Sequence, residues 1–384
     1  MKRMLIVAGK IYGGGAERVL VDLINGLDES EYDITLYTMT KDNFEKSGIS
    51  RAVDYRTVYE SADDFSGLKR YLKKFRNKFL NLVYSHCSAN SFYKRVFKEK
   101  YDVEIAAIEG YTTRIVSGST NPASNKIAWL HTDLETNHWS RLAFKDDSEE
   151  TQAYKSFDTV ICVTENVRRI LLEKFSKDIN TAVISNPIRK DNILSLVDQG
   201  ECNIPKKPDT LRVCYLGRLQ EEKGADRLLE AHKRLLDEGK KLELIMVGDG
   251  CDMGKLRRFV DENGLMDSVH MLGYLDNPYP YMKTADLFVC PSRAEGFGLV
   301  LVEAMILDLP VMSTDCAGPN EILDNGKYGM SVENSTDGIY NGIKEFIENP
   351  YLLEKYSALS KERREDYGYD KSIDKFKEIF EVKN

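Results

Sequence analysis

Short apolar runs bounded by turn residues recur along the whole chain, and segments with helical spacing separate them. Runs of this length and setting predict β-strands. In the first half they are RMLIVA, YDITLYTM, DVEIAAIEG, NKIAWLH, FDTVICVT and TAVISNP, and in the second half LRVCYLGRL, KLELIMVGDG, SVHMLGYL, ADLFVCPS and LPVMSTDC. Strands that alternate with helices indicate parallel sheets built from βαβ units. The pattern therefore predicts an α/β protein with two Rossmann-like domains.

A chain of 384 residues is too long for one ordinary core and fits two domains of typical size. We predict a first domain at 1–190, a linker rich in Pro, Asp and Gln at 191–208, and a second domain at 209–368. A last helix within 369–384 carries apolar residues that could pack it back on the first domain, namely Ile373, Phe376, Ile379 and Phe380. Two such domains facing across a cleft would hold a ligand between the carboxyl ends of their strands.

Composition narrows the class of protein. Hydrophobic residues make up 42% of the chain and charged residues 30%, as in soluble globular proteins. No run approaches the roughly 18 consecutive apolar residues of a membrane-spanning helix, and the Gly-rich turn in MKRMLIVAGKIYGGG favours a first strand over a signal peptide. Seven scattered cysteines without a C-x-x-C pair indicate reduced thiols of a cytosolic protein, and a net charge of −8 argues against a general nucleic-acid binder.

The segment 66–100 departs from the acidic balance of the chain. Within it, 68–83 has apolar residues at helical spacing and basic residues on the opposite face. The apolar positions are Leu68, Tyr71, Leu72, Phe75, Phe79, Leu82 and Val83, and the basic ones are Lys69, Arg70, Lys73, Lys74, Arg76 and Lys78. This pattern is typical of a helix that lies on an anionic membrane surface. The alternative is a surface helix that packs on its own domain and leaves its lysines solvated.

The segment PSRAEGFGLVLVEAM, which contains Glu295 and Glu303, carries the most informative chemistry. Gly296, Phe297 and Gly298 follow a predicted strand and open a helix, so their backbone amides could approach the oxygens of a ligand. Glu303 lies in an apolar stretch, where a carboxylate needs a hydrogen-bond donor, and the vicinal diol of a ribose would suit it. The alternative is a helix whose glutamate faces solvent.

Three further groups stand at the ends of predicted strands. Gly14 and Gly15 open a helix whose N-terminus could bind a phosphate, although they do not complete a G-x-G-x-x-G fingerprint. Arg218 and Lys223 share one loop and suit a diphosphate, while the alternative is a solvated pair. His131 could donate a hydrogen bond to a sugar hydroxyl, or it could be structural.

In this order along the chain, GGAERV, WLHTDL, GRLQEEKG, VGDG, EGFGLVLVEAM and AGPNEIL resemble the motifs of one enzyme family. They are similar to those of GT-B fold glycosyltransferases of the retaining group called family 4, in particular the members that build bacterial capsule, exopolysaccharide or related surface glycans. The resemblance covers nearly the whole chain. It implies two Rossmann-like domains, a nucleotide-sugar donor held mainly by the second domain and acceptor contacts mainly from the first.

The resemblance also assigns roles residue by residue. It gives the donor diphosphate to Arg218 and Lys223 and the ribose hydroxyls to Glu303. The remaining positions are Glu295 for the hydroxyls of the transferred sugar, Gly296, Phe297 and Gly298 beside it, Gly14 and Gly15 near the phosphates, and His131 over the donor sugar.

These expectations combine into one function. We expect a retaining glycosyltransferase that moves a hexose-type sugar from a nucleotide diphosphate-sugar, with UDP-sugar implied by the family, to a hydroxyl of a glycan or lipid-linked saccharide. The chain has no D-x-D triplet and no His/Cys cluster of metal spacing, so we expect neither a metal nor another cofactor. The expected location is cytoplasmic, peripheral at the inner face of the cell membrane.

Four alternatives belong to other classes. One is a non-catalytic glycan-binding or accessory subunit of a transferase, which predicts decay of the motifs that are intact here. A nucleotide-sugar epimerase and a glycan phosphorylase are rival enzymes of the same fold. A dehydrogenase would use the Gly-rich loop, but the ribose-binding acid does not follow a proper fingerprint.

Overall fold

The computed structural model of the protein describes residues 1–61 and 66–381, apart from the side chains at 67 and 68. The expected membrane contact of Leu68 and the end of the predicted last helix, 382–384, therefore lie outside the described residues. The chain divides into two compact units. Unit 1 comprises Met1–Ile188 and Tyr369–Asn384, and unit 2 comprises Arg189–Gly368.

The sheet of unit 1 is built from parallel strands, and most of them are apolar along most of their length. They are β1 (Lys2–Ala8), β2 (Tyr32–Thr40), β3 (Asp54–Tyr59), β4 (Val103–Ala106), β5 (Asn125–Leu130), β6 (Thr159–Cys162) and β7 (Thr181–Val183). Their order in the sheet is β3-β2-β1-β4-β5-β6-β7. Because helices cover both faces of such a sheet, the central strands are buried on both sides, as β1 and β4 are.

The connections between these strands contain the helices of unit 1. They are α1 (Gly15–Gly26), α2 (Gly67–His86), α3 (Ala89–Val96), α4 (Tyr111–Ser117), α5 (Asp147–Lys155) and α6 (Glu165–Lys174). Side-chain oxygens cap the N-termini of three of them, from Ser88 at α3, Asp146 at α5 and Thr164 at α6. Helix α1 starts after Gly14 and has no side-chain cap.

Unit 2 repeats the architecture. Its helices and strands are α7 (Lys190–Asp198), β8 (Leu211–Leu216), α8 (Ala225–Asp237), β9 (Leu242–Val247), α9 (Met253–Glu262), β10 (Val269–Gly273), α10 (Tyr279–Lys283), β11 (Leu287–Cys290), α11 (Leu299–Ile306), β12 (Val311–Thr314), α12 (Ala317–Leu323), β13 (Met330–Val332), α13 (Thr336–Glu348) and α14 (Tyr351–Arg363). The strands are parallel and their order is β10-β9-β8-β11-β12-β13.

The last helix, α15 (Tyr369–Glu381), belongs to unit 1. The ring of Phe376 packs edge-on against Trp129 with centroids 4.7 Å apart. The Asn125 side chain donates a hydrogen bond to the carbonyl of Ile379 at 2.7 Å. The apolar positions of the sequence pattern therefore provide contacts with the first sheet.

Every predicted strand segment contains a strand, and the α/β class with two parallel sheets is confirmed. The sequence pattern missed β3, which is half-buried, and β13, which has only three residues. The predicted linker, 191–208, differs from the structure. It contains most of α7, whose Leu196 carbonyl accepts a hydrogen bond from Asn277 at 2.6 Å, so this stretch packs within unit 2.

Helix α2 contacts unit 1 through a narrow strip. Leu80 and Val83 are buried, and Lys73 and Arg76 on the same side form ion pairs with Glu60. The other apolar side chains of 69–83 are 44–70% exposed, namely Tyr71, Leu72, Phe75, Phe79 and Leu82. The expected division into one apolar and one basic face is therefore wrong in detail, because two basic residues face inward and five apolar ones face outward. Among the helices of residues 1–61 and 66–381, none is long and apolar enough to cross a membrane.

Candidate active site

The predicted site residues of unit 2 lie on loops at the carboxyl ends of parallel strands. Arg218 and Lys223 follow β8, and Glu295 follows β11. These two strands are neighbours in the sheet, so their loops leave it side by side. The sheet order thus brings together residues that are about seventy positions apart in the sequence.

Lys223 and Glu295 form an ion pair in which Nζ lies 2.6 Å from Oε2. The two side chains are 19% and 16% exposed, so the pair is shielded from bulk water and still reachable. Burial lowers the pKa of Lys223, but the hydrogen-bonded carboxylate of Glu295 outweighs burial and the net shift is upward. The ammonium is therefore charged at neutral pH.

Arg218 is the exposed cation of this site. Its side chain is 57% exposed, and Nη2 lies 3.7 Å from Oε1 of Glu222. The positive charge of Arg218, on the same loop, also opposes the upward pKa shift of Lys223. A surface arginine held by one long ion pair can turn toward an anion at small cost.

Arg293 ties the two loops together, and sequence reasoning missed it. Its guanidinium donates to both carboxylate oxygens of Asp226 at 2.8 and 2.7 Å and to the carbonyl of Glu221 at 2.6 Å. Asp226 and Glu221 flank Lys223, while Arg293 itself lies two residues before Glu295. The bidentate contact therefore fixes the ammonium relative to the carboxylate.

Close backbone approach at two glycines holds the same loops in place. Gly224 has φ +66°, and a Cβ there would lie 1.9 Å from the carbonyl oxygen of Pro291. A Cβ on Gly318 would lie 2.5 Å from the carbonyl oxygen of Phe297, and the Gly318 amide donates to the Glu295 carbonyl at 3.0 Å. Larger residues at these positions would push the loops apart.

The segment between the two predicted glutamates turns into α11 at Gly298. The ring of Phe297 is buried and packs edge-on against Tyr367 with centroids 6.1 Å apart, so a ligand would meet its backbone and not its side chain. Gly296 is buried beside it. Glu303 lies in the second turn of α11 and is 4% exposed, which excludes the alternative of a solvent-facing glutamate.

In unit 1, Gly14 and Gly15 stand at the start of α1. The carboxylate of Asp42, at the end of β2, accepts hydrogen bonds from the amides of Ile11 at 2.7 Å and Tyr12 at 3.2 Å. Asp42 therefore anchors the loop that leads into the glycines. Gly14 has no side chain to cap the first amides of α1, but the carboxylate of Glu17 in the first turn lies beside it.

His131 follows β5 and is half-buried. Its Nε2 lies 3.1 Å from the carbonyl oxygen of Ala107, which can only accept, so this nitrogen carries the proton. Burial lowers the pKa of His131, and the nearby Glu109 carboxylate opposes that shift without cancelling it. The neutral ring then offers Nδ1 as an acceptor, which differs from the hydrogen-bond donation that we expected from the sequence.

Glu109 holds the loop that carries His131, and no motif pointed to it. It is 1% exposed. One oxygen accepts the backbone amide of His131 at 3.0 Å, and the other accepts the Trp139 indole N–H at 3.0 Å and the Thr132 hydroxyl. The usable signal was an acid just beyond a strand at the carboxyl edge of a parallel sheet.

Sequence models of two glycosyltransferase families match this chain. Glycosyltransferase Family 4 matches residues 13–192, and Glycosyl transferases group 1 matches residues 202–366. The chain is a family 4 glycosyltransferase. It therefore belongs to a family of enzymes.

Two relatives illustrate the range of similarity. An uncharacterized glycosyltransferase of Methanocaldococcus jannaschii is 30% identical over 264 residues, which are 59% of this chain and 64% of the relative, so the match spans less than two thirds of that protein. The lipopolysaccharide core biosynthesis glycosyltransferase LpsD of Rhizobium meliloti is 26% identical over 371 residues, 96% of this chain and 95% of LpsD.

The fold of the chain matches a solved structure of Anabaena HepE in complex with UDP and glucose. The TM-score is 0.75 at 18% identity, over 98% of this chain and 99% of HepE. At this identity the likeness establishes the fold alone, which is GT-B.

Of the predicted site residues, the structure brings Lys223 and Glu295 into direct contact, and Arg218 lies on the same loop as Lys223. Glu303 is buried in the helix that follows the Glu295 loop. His131 lies in unit 1, at the carboxyl edge of its sheet. Gly14 and Gly15 lie in unit 1 as well, at the start of α1.

Proposed function

We propose that this glycosyltransferase moves a hexose-type sugar from a UDP-sugar to a hydroxyl of a glycan or lipid-linked saccharide, with retention and without a metal ion. The proposed setting is the synthesis of bacterial surface polysaccharide. The observation that carries the proposal is the shielded Lys223–Glu295 pair with Arg218 beside it. HepE, which was solved with UDP and glucose, supports the donor class, and LpsD, which is named for lipopolysaccharide core, supports the product class.

Charge explains the proposed roles. The leaving nucleoside diphosphate gains negative charge as the bond to the sugar breaks, and positive groups aimed at it lower the barrier. Lys223 and Arg218 supply two such groups. When the diphosphate takes the place of Glu295 at Lys223, the Glu295 carboxylate becomes available to accept hydrogen bonds from hydroxyls of the transferred sugar. The buried carboxylate of Glu303 would accept from the ribose in the same way.

Retention would follow from attack on the face that the diphosphate leaves. The acceptor hydroxyl forms the new bond to the anomeric carbon while the old bond to the diphosphate oxygen breaks. The hydroxyl proton passes to a diphosphate oxygen. Proton NMR of the linkage in the product reports its anomeric configuration, and an inverted linkage would contradict this part of the proposal.

Donor identity is tested by thermal shift with UDP-, GDP- and ADP-glucose. A ligand at 100 times its Kd stabilises the folded state by about 2.7 kcal/mol, so the UDP compound is expected to raise Tm by several degrees. A larger shift with GDP- or ADP-glucose would overturn the assignment of UDP. Activity that EDTA abolishes and Mn²⁺ or Mg²⁺ restores would overturn metal independence.

We also propose that the outer side of α2 binds the anionic surface of a membrane. Its exposed apolar side chains are surrounded by exposed basic ones, namely Lys69, Arg70, Lys74 and Lys78. On the adjacent α3, Arg95 lies over the Phe79 ring at 5.9 Å from its centroid. Aromatic side chains can enter the headgroup region, while each basic residue near an anionic surface adds about 1 kcal/mol.

Vesicle flotation tests this contact. Vesicles that contain phosphatidylglycerol are expected to carry the protein, and pure phosphatidylcholine vesicles are not. Joint Lys69→Gln, Lys74→Gln and Lys78→Gln substitution should weaken binding, and so should Phe75→Ser. Lys73→Gln is the matched control, because Lys73 on the same helix is paired with Glu60. Equal effects of the control and the outward-facing variants would contradict docking through this side.

A further inference from the structure

A polar pocket in unit 1 takes no part in the chemistry described above. It lies at the carboxyl ends of β2 and β3, and Asn77 of α2 forms part of its wall. Its volume is about 620 Å³, within the roughly 300–1,000 Å³ of pockets that bind small molecules. All of its described lining residues belong to unit 1.

The pocket presents hydrogen-bonding groups with unused capacity. The side chain of Asn43 makes no hydrogen bond to the described residues. Asn77 donates from Nδ2 to the Glu60 carbonyl at 2.7 Å, while its Oδ1 is buried just behind the pocket wall and accepts no hydrogen bond in the part of the chain that the structure describes. Tyr59 adds an aromatic ring, and burial raises the pKa of its hydroxyl, which therefore stays protonated. Amides, a hydroxyl and a ring together suit a hydroxylated ligand.

The charges around the pocket are largely compensated. Asp42 accepts three backbone amides, those of Ile11, Tyr12 and Asn43. Glu60 pairs with two cations of α2. Lys41 is the single basic residue in the described lining. Phosphate recognition uses several charge-assisted donors, so this lining favours a neutral ligand.

We propose that this pocket binds neutral saccharide units of the acceptor, away from the bond that forms. The proposal rests on the proposed transferase function. In the sheet, β2 is separated from β5, which precedes His131, by three strand spacings, or about 14 Å. The pocket therefore holds a remote part of an extended acceptor, and its contacts contribute to acceptor binding without touching the reacting atoms.

Saturation-transfer NMR tests the pocket directly. The probes are glucose, galactose and N-acetylglucosamine, together with neutral trisaccharides of these sugars, and inorganic phosphate and glucuronate serve as anionic probes. Saturating UDP fills the proposed donor site. At least one neutral probe is expected to bind equally well with and without UDP. Asn43→Ala and Asn77→Ala should weaken that binding at least fivefold.

The matched control is Asn180→Ala, which removes an exposed carboxamide just before β7, at the amino edge of the same sheet. This variant should bind the probes like the wild type. Tyr59→Phe, which keeps the ring and removes the hydroxyl, covers the case in which an alanine variant fails to fold. A twofold or larger loss of neutral-probe binding in Tyr59→Phe supports the proposal, and unchanged binding in that variant counts against it.

Three outcomes would overturn the pocket assignment. They are the absence of binding by every neutral probe, displacement of the sugar by UDP, and binding of the anionic probes alone. Failure of the proposed function looks different, because sugar binding would then persist in a protein that neither binds UDP-glucose nor transfers its sugar. Conversely, both asparagine variants could transfer sugar to a long acceptor at the normal rate. That result would contradict the assignment of the pocket and would leave the proposed transferase function standing.

Discussion

The two units place different chemistry at the same edge of similar sheets. In unit 2 the edge is charged, with Lys223, Glu295 and Arg218 on neighbouring loops and Arg293 joining them. In unit 1 the corresponding edge carries a neutral His131 and the carboxylate of Glu109, which three donors surround. At the edge of unit 2 a lysine and an arginine share one loop, whereas the carboxylates named at the edge of unit 1 are each held by donors or cations of their own unit.

This difference separates the two tasks of the proposed reaction. A diphosphate needs cations whose positions are fixed before it arrives, because reorganising them would cost free energy. Hydroxyls of an acceptor need oriented acceptors and donors that do not attract anions. A polar pocket with compensated charges in unit 1 fits that second task. Substitutions in each unit should therefore change different kinetic constants.

The largest effect is expected from Lys223→Ala, which removes the shielded cation and leaves Glu295 without its partner. Removing one member of a buried charge pair costs about 2–5 kcal/mol, which predicts a fall in transfer rate of about 10²–10³. The assay is initial rate against UDP-sugar concentration. Lys240→Ala, which breaks the surface pair with Glu348 in the same unit, is the control and should retain its rate. Near-normal turnover of a folded Lys223→Ala protein would contradict the proposed role of Lys223 and Glu295 in the reaction.

In unit 1 the sharpest test is Glu109→Gln. The new amide NH₂ must face either the backbone N–H of His131 or the indole N–H of Trp139, and neither can turn into an acceptor. An unsatisfied buried donor costs about 1–3 kcal/mol, which should appear as lower stability and a lower kcat. Urea unfolding and initial rates measure the two.

The matched control for that change is Glu104→Gln on β4. Glu104 is also buried, but its partners are the hydroxyls of Tyr93 and Ser119, which can rotate to accept. Burial raises the pKa of Glu104, so its charged form is less favoured than that of a solvated glutamate. The control should therefore cost less than Glu109→Gln. Equal costs would show that the Glu109 network has no special role.

The free energy of unfolding should depend on pH through the buried side chain of His232 in unit 2. Burial lowers its pKa to about 4 from 6.5. The folded state therefore binds this proton less readily than the unfolded chain, so stability is full above pH 6.5 and falls as the pH approaches 4. At 1.36 kcal/mol per pKa unit, the loss between pH 8 and pH 5 is about 2 kcal/mol. Urea unfolding followed by circular dichroism at both pH values measures it.

A His232→Gln variant serves as the reference for that measurement. The variant cannot take up the proton, so its stability should change less between the two pH values. His131 of unit 1 should contribute in the same direction, moderated by the Glu109 carboxylate that favours its protonated form. An identical pH dependence in wild type and variant would contradict the burial of a neutral His232.

The smallest effect is expected from Arg293→Lys, which keeps the charge and loses the bidentate contact with Asp226. The contact between Arg293 and Asp226 positions Lys223 without touching the reacting atoms. We therefore expect about a tenfold loss in kcat/KM for the donor, or about 1.4 kcal/mol. Arg234→Lys, at the exposed pair with Asp337, is the control. If Arg293→Ala and Arg293→Lys both leave the donor KM and kcat unchanged, the contact between Arg293 and Asp226 has only a structural role.

Sequence reasoning was most successful where local pattern decides structure. Apolar runs located eleven strands, since a strand buried between two layers of helices needs apolar side chains along its length. It missed β3 and β13, which are half-buried and of mixed polarity. It also divided α2 into faces by spacing alone, whereas Lys73 and Arg76 turn inward to Glu60.

The candidate site divides in a similar way. Lys223, Glu295 and Glu303 were found because their residue types and motifs were visible in the sequence. Arg293 and Glu109 were not found, because their partners lie tens of residues away. The tautomer of His131 was also out of reach, because it depends on which ring nitrogen contacts the Ala107 carbonyl.

By itself the sequence determined the strands, the loops that follow them and the chemical groups that those loops carry. Only the tertiary structure decided which loops are neighbours, because strand order in a parallel sheet is set by crossover connections and not by position in the chain. Burial and partner charges, which set the ionisation of Lys223 and His131, follow from that order. Local periodicity thus predicts what each segment is, and the packing of distant segments decides what their side chains can do.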